Sequence, residues 1–200
     1  FPLTTPSPTD YRVLVLGGSA VMGKDTDREN NWSWVTLSAL RRYNPDLNVS
    51  VMNAGVSGGL SFQENSQLRS FRNYGFSLVV VFTGYNDLYY FFVDPAHYQA
   101  SQQAFNRRFH WINRCSEALA ARSLLFARLR HAWLWRHRGP QAPEDPERPI
   151  GQDAVTEEKI QVFLTNYEEQ MRVLMGKCRR WGIPAMWIPQ PFLTQLARER

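Results

Sequence analysis

The sequence predicts an α/β fold built on a doubly wound parallel sheet. Three observations predict it. Short runs dominated by apolar residues recur at 12–16, 49–52 and 77–82, segments with helical spacing separate them, and each run ends in a small, polar, Gly-rich turn. A chain of 200 residues with 44% hydrophobic and 14% aromatic content can bury one sizeable core and is not disordered.

Arg12-Val-Leu-Val-Leu16, running into Gly17-Gly18, is the first buried strand. Trp32, Val35, Ala39, Leu40 and Tyr43 recur at helical spacing, and Asn44-Pro45 ends that helix. Val49–Met52 is the second strand, opening into the turn Asn53-Ala-Gly-Val-Ser-Gly-Gly59. A helix over Ser61–Asn73 closes at Tyr74-Gly75, and Ser77–Phe82 is the third and most apolar strand. From His97 to His137 the composition is helical and Arg-rich, and the prolines of Gly139–Pro149 make that stretch a loop. Ile160, Phe163, Leu164, Tyr167, Met171, Leu174 and Met175 form the apolar stripe of another helix, ending near Trp181-Gly182. Ile183–Ile188 is a fourth strand. The β-α-β-α-β alternation calls for right-handed crossovers in one parallel sheet.

The net charge of +5 is uneven. Eight arginines between Arg107 and Arg138 face one glutamate, Glu117. Such a segment suits a solvated helix face, a membrane surface or a polyanion. Trp111, Trp133 and Trp135 among these arginines would suit stacking on single-stranded nucleic acid, but an amphipathic cap or membrane-facing helix accounts for them as well, and nucleic acid is disfavoured. Cys115 and Cys178 form no metal or redox motif, and a disulfide and two buried thiols both remain open. No window approaches the roughly 18 apolar residues of a membrane span. Residues 1–10 read as a tether into a domain over 11–200, with 98–150 as an Arg-rich helical insertion and Pro-rich loop. The compartment stays open, a periplasmic or secreted setting with an N-terminal membrane tether being favoured over the cytoplasm.

In open α/β sheets ligands gather at the carboxyl ends of the strands. The informative residues are therefore Gly17-Gly18-Ser19, Asn53–Gly58 and Thr83-Gly84-Tyr85-Asn86-Asp87. A serine on a tight Gly turn exposes its hydroxyl, and a following helix aims backbone N–H groups at negative charge developing there. As a mere helix cap the same serine would contribute about 1 kcal/mol. Gly18–Asp25 nearly fits a phosphate-binding loop, but it carries Asp25 where Ser or Thr should hold magnesium, and strand three ends in Phe82-Thr83 without a metal-holding acid. Gly58 lets a backbone N–H approach a ligand, and Asn86 brings a side-chain amide donor. Asn53 and Asn86 are also good turn residues on their own account. Tyr85, Leu88, Tyr89, Tyr90, Phe91 and Phe92 crowd the exit of strand three as pocket wall or as core.

These three segments, in this order, resemble blocks I, II and III of the SGNH (GDSL-like) hydrolase superfamily. Gly17-Gly18-Ser19 resembles the family's G-D-S, with Gly18 in place of the aspartate. In Asn53–Gly58 the oxyanion glycine of block II falls on Gly58, with Gly55 the alternative, and Gly84-Tyr85-Asn86-Asp87 fits G-x-N-D. The similarity runs from residue 11 to about 93, and Ile183–Phe192 resembles the next core strand. The resemblance implies a flavodoxin-like three-layer α/β/α sandwich, no cofactor or metal, and hydrolysis of a small-molecule or glycan ester through an acyl-enzyme. Ser19 is then the nucleophile, and the N–H groups of Ser19 and Gly58 with the Asn86 amide form the oxyanion hole. The family's D-x-x-H block, which carries the general base, is expected tens of residues beyond Ile188. The chain lacks it, so the expectation is a domain truncated before its last block. Asp94-Pro-Ala-His97 has the string in the wrong topological place, and His97 is read as a loop histidine; His110, His131 and His137 have no Asp three residues before them. A glycan- or lipid-binding relative without catalysis, and an acyltransferase acting on a sugar hydroxyl, are the rival readings.

Overall fold

The computed structural model describes residues 10–23, 27, 30–96, 98–99, 102, 129 and 155–190. The tether over 1–9, His97, nearly all of the Arg-rich insertion with its three tryptophans, Cys115, the Pro-rich loop and residues 191–200 lie outside the described residues.

Four strands make one parallel sheet: β1 (Asp10–Gly17), β2 (Asn48–Asn53), β3 (Leu78–Thr83) and β4 (Ala185–Pro189), in the order β2-β1-β3-β4. Over these strands this is the order of a flavodoxin-like, doubly wound sheet. Side chains alternate between its faces. Leu14, Leu16, Val79 and Val81 point into one buried cluster, and Val13, Val15 and Val80 into the other. Both faces must therefore be covered, which is why β1 and β3 are apolar almost without interruption.

The larger layer consists of α3 (Ser61–Ser70), α4 (Tyr85–Val93) and α5 (Glu157–Arg180). Phe163, Tyr167, Met171, Leu174 and Cys178 of α5 are buried at the spacing the sequence predicts, and full burial of a side chain such as Phe163 or Leu174 contributes ~1.5–3 kcal/mol. Thr156 caps α5, its side chain accepting from Lys159 N. Cys178 is a free, buried thiol, its pKa pushed up to about 11 chiefly by burial. The opposite layer is thinner: α1 (Ser19–Met22) and α2 (Trp32–Tyr43) bring Val21 and Trp32 onto Val13, Val15 and Val80.

The face of α2 departs from its predicted stripe. Ser33 and Leu37 are its buried residues, whereas Val35 is 53% and Tyr43 89% exposed. The helix lies mainly over β2, the sheet's edge strand, where a narrow strip of cover suffices. Asn31 also fixes its rotation from the N-terminal end, accepting from Ser33 N at 3.0 Å through Oδ1 and donating to Met22 O at 3.2 Å.

No described helix is long and apolar enough to cross a membrane.

Candidate active site

The strand order reverses direction between β1 and β3, because the chain leaves β1 towards β2 on one side and returns to β3 on the other. Loops diverge at such a point and leave a crevice at the carboxyl ends. A crevice of about 240 Å³ lies there, lined by Gly18, Ser19, Ala20, Phe82–Asn86 and Gln190. The first and third of the predicted turns thus share one concavity.

Ser19 opens α1, with Gly18 at its N-cap and no side chain in the capping role. The Ser19 carbonyl accepts from Gly23 N at 2.9 Å, which closes the single turn. Ser19 is half-buried, and its hydroxyl has no hydrogen-bond partner among the described residues.

Asn86 sits in the first turn of α4. Its Nδ2 donates to Gly59 O at 2.9 Å, tying the turn after β3 to the turn after β2. An amide nitrogen carries two hydrogens, so this bond orients the group and leaves a second donor. Gly84, the N-cap of α4, has φ 122°, a backbone region that favours glycine. A glycine cap brings no side-chain oxygen to the helix start. Gln190, just past β4, supplies one: its Oε1 accepts from Tyr85 N. Gln190 is 7% exposed and was invisible to sequence reasoning as a site residue, since it lies 105 positions from its partner.

The middle turn divides its labour. Asn53 is a structural staple: its Nδ2 donates to Val21 O and to Ser33 Oγ, and its Oδ1 accepts from Gly55 N at 2.9 Å. The Gly55 N–H is thereby committed to the Asn53 side chain. Gly58 does not line the crevice itself; it precedes Gly59, whose carbonyl holds Asn86, and has φ 66°.

Asp87, the last residue of the G-x-N-D segment, turns away from solvent. Its carboxylate accepts from Ser61 N and from Ser61 Oγ at 2.7 Å, capping α3 from α4. Burial pushes its pKa up to about 6, against the pull of the Ser61 bonds. Glu64, one turn into α3, is also buried; burial and then the Asp87 charge raise its pKa well above the ordinary value, with the Thr83 hydroxyl acting weakly the other way. Behind the crevice, Tyr167 OH donates to Thr83 O at 2.8 Å and accepts from Trp187 Nε1 at 3.2 Å. The large apolar residues after β3 differ in placement. Leu88 and Phe92 join the core, whereas Tyr85 is 43% exposed at the crevice, with Tyr89 stacked on it at 6.2 Å. No histidine is among the described residues, and no cluster of His, Cys, Asp or Glu there is arranged to hold a metal.

No family model matches the chain, and no curated protein does. Among the solved structures that align with it are three of one esterase. AlinE4, described as an SGNH-hydrolase family esterase, is 16% identical with a TM-score of 0.40. Two single-residue mutants of it align at 16% and 15% identity with TM-scores of 0.42 and 0.40. Each alignment covers 92% of this chain and 77% of the esterase. Similarity this distant transfers neither a reaction nor a residue role.

Proposed function

We propose that the chain is a serine hydrolase of carboxylic esters, with Ser19 as nucleophile. One observation carries the reading: Ser19 and Asn86, 67 residues apart in sequence, line the same crevice at the point where the strand order reverses.

Ser19 Oγ attacks the acyl carbon, and its proton passes to a general base. The carbonyl oxygen becomes an oxyanion, received by the Ser19 N–H at the start of α1 and by the second hydrogen of Asn86 Nδ2. The resemblance to the family's block II would make Gly58 N–H a third donor, but Gly58 stands outside the crevice lining, so the reading rests on the first two. Collapse expels the alcohol with a proton returned from the base, and water then releases the acid from the acyl-enzyme. The base belongs, by the same resemblance, to a D-x-x-H histidine.

Two features support this use of the crevice. Neighbouring donors at a helix start favour negative charge without reorganisation. The exposed Tyr85 ring offers a wall for an acyl or sugar group beside them.

Fluorophosphonate labelling of the full-length protein tests the proposal. Label should appear on Ser19, and Ser19→Ala should abolish both labelling and aryl-ester hydrolysis while leaving the melting temperature nearly unchanged. Label elsewhere, or hydrolysis that survives Ser19→Ala, would overturn it. A folded protein that binds acyl-sugars without turning them over would instead make it a binding relative.

A further inference from the structure

We propose that Gln190 is a positioning residue of the crevice: it holds the first turn of α4 in place and thereby fixes the direction of the Asn86 amide. The proposal rests on the ester-hydrolase reading for its kinetic meaning, though not for its structural test.

The first N–H groups of a helix have no intrahelical acceptor, and a side chain at the N-cap ordinarily meets one of them. In α4 the N-cap is Gly84, which has no side chain to give. The Tyr85 N–H is met instead by Gln190 Oε1 from another strand. The register explains how Gln190 arrives there. β4 pairs with β3 so that Pro189 stands opposite Thr83, and the next residue on each strand is Gln190 and Gly84. An amide side chain there reaches one position further along α4, to Tyr85 N.

Asn86 follows directly. Its own amide is tethered at one end to Gly59 O, and its backbone rides on the turn that Gln190 caps. The acceptor role also sets the orientation of the Gln190 amide. With Oε1 on Tyr85 N–H, Nε2 is the other end of the group, and it has no acceptor among the described residues, within a side chain that lines the crevice. Gln190 thus acts on Asn86 through the backbone of Tyr85. Small misplacements of a catalytic donor are expensive, on the order of 10²-fold for 1 Å.

Gln190→Met keeps the length of the side chain and removes both amide functions. In the full-length protein, kcat should fall about 10-fold or more with little change in KM. In an Asn86→Ala background the same substitution should change kcat less than twofold, because its effect passes through Asn86. An amide-resolved NMR spectrum supplies a readout independent of activity. Gln190→Met should move the Tyr85 amide proton upfield and shift the Asn86 side-chain NH2 pair, and Gln190→Glu, which keeps the acceptor, should restore the Tyr85 signal. If the Met variant does not fold, Gln190→Asn, one methylene short, should shift the same signals. Unmoved Asn86 signals, or an equal kcat loss with and without Asn86, would overturn the positioning role. Survival of hydrolysis in Ser19→Ala would defeat the ester-hydrolase reading alone and leave the NMR result to decide this one.

Discussion

Gly18 and the Asn86 amide are packed so closely that a Cβ on Gly18 would stand 2.7 Å from Asn86 Nδ2. Backbone freedom does not call for glycine here, since Gly18 has φ −81° and ψ −153°, open to any residue. Space does. Any other residue at this position brings a Cβ, so Gly18 and the present placement of Asn86 go together.

Gly18→Ala should therefore act on the reaction more than on the fold. The crowded atom is the end of a side chain, which can swing aside at small cost, but it leaves Gly59 O and its place over the crevice when it does. A stability change within about 1 kcal/mol and a roughly 10-fold or larger fall in kcat are expected, by urea titration and aryl-ester kinetics. A large loss of stability with normal kcat in the surviving fold would show that Gly18 serves packing instead.

The two asparagines that follow strands should separate in the same assays. On the proposed mechanism Asn86→Ala removes a donor to the transition state, so kcat should drop ~10²–10³-fold with a smaller change in KM. Asn53→Ala instead removes the staple among Val21, Ser33 and Gly55. It should cost about 1–2 kcal/mol in urea unfolding and alter kcat less than about threefold, since its partners are backbone and a helix start away from the crevice lining. If the two variants behave alike, the division of roles between the turns is wrong.

What was legible in the sequence follows from what is local. β1 and β3 are recognisable because both faces of a central strand are covered, so Val13–Leu16 and Val79–Val81 are all buried. The site turns are recognisable because glycine, serine and asparagine stand out against such runs. Gln190 is not recognisable: its role arises from strand register, and a glutamine after a strand has no local mark. The buried face of α3 is hidden for a related reason. Glu64, Asn65, Ser66 and Ser70 are buried there, a pattern that reads as solvated surface. Their cover is another helix carrying polar groups. Asn65 Nδ2 donates to Gln170 O at 3.0 Å, and Lys177 Nζ donates to Asn65 Oδ1 at 2.9 Å. The stripe on α2 misled because an edge strand needs less cover than the helix has apolar residues.

Glu64 leads to the last prediction. It is 1% exposed in α3, near Asp87, and neither carboxyl oxygen has a well-formed hydrogen bond among the described residues. Burial, then the Asp87 charge, raise its pKa well above 4.5, and burial raises Asp87 to about 6. In both groups the folded state holds its proton more tightly than the unfolded chain does. Their contribution to stability is therefore fully present below the unfolded pKa values, and it is lost as pH rises through the folded ones, near 6 for Asp87 and well above the ordinary carboxylate range for Glu64. The phenols of Tyr98 and Tyr167, raised by burial and then by the Asp87 charge, stay neutral throughout this range. Glu64→Gln keeps the shape and removes one titration. Its melting temperature should exceed that of the parent at pH 8 by on the order of 2–4 °C, and the difference should vanish near pH 4. Asp87→Asn should not copy this behaviour, because it weakens the acceptor that holds Ser61 N and Oγ at the start of α3. It should lower the melting temperature at both pH values. Parallel melting curves for Glu64→Gln and the parent from pH 4 to 8 would mean that Glu64 does not change its protonation on unfolding, and the buried acid would then need another account.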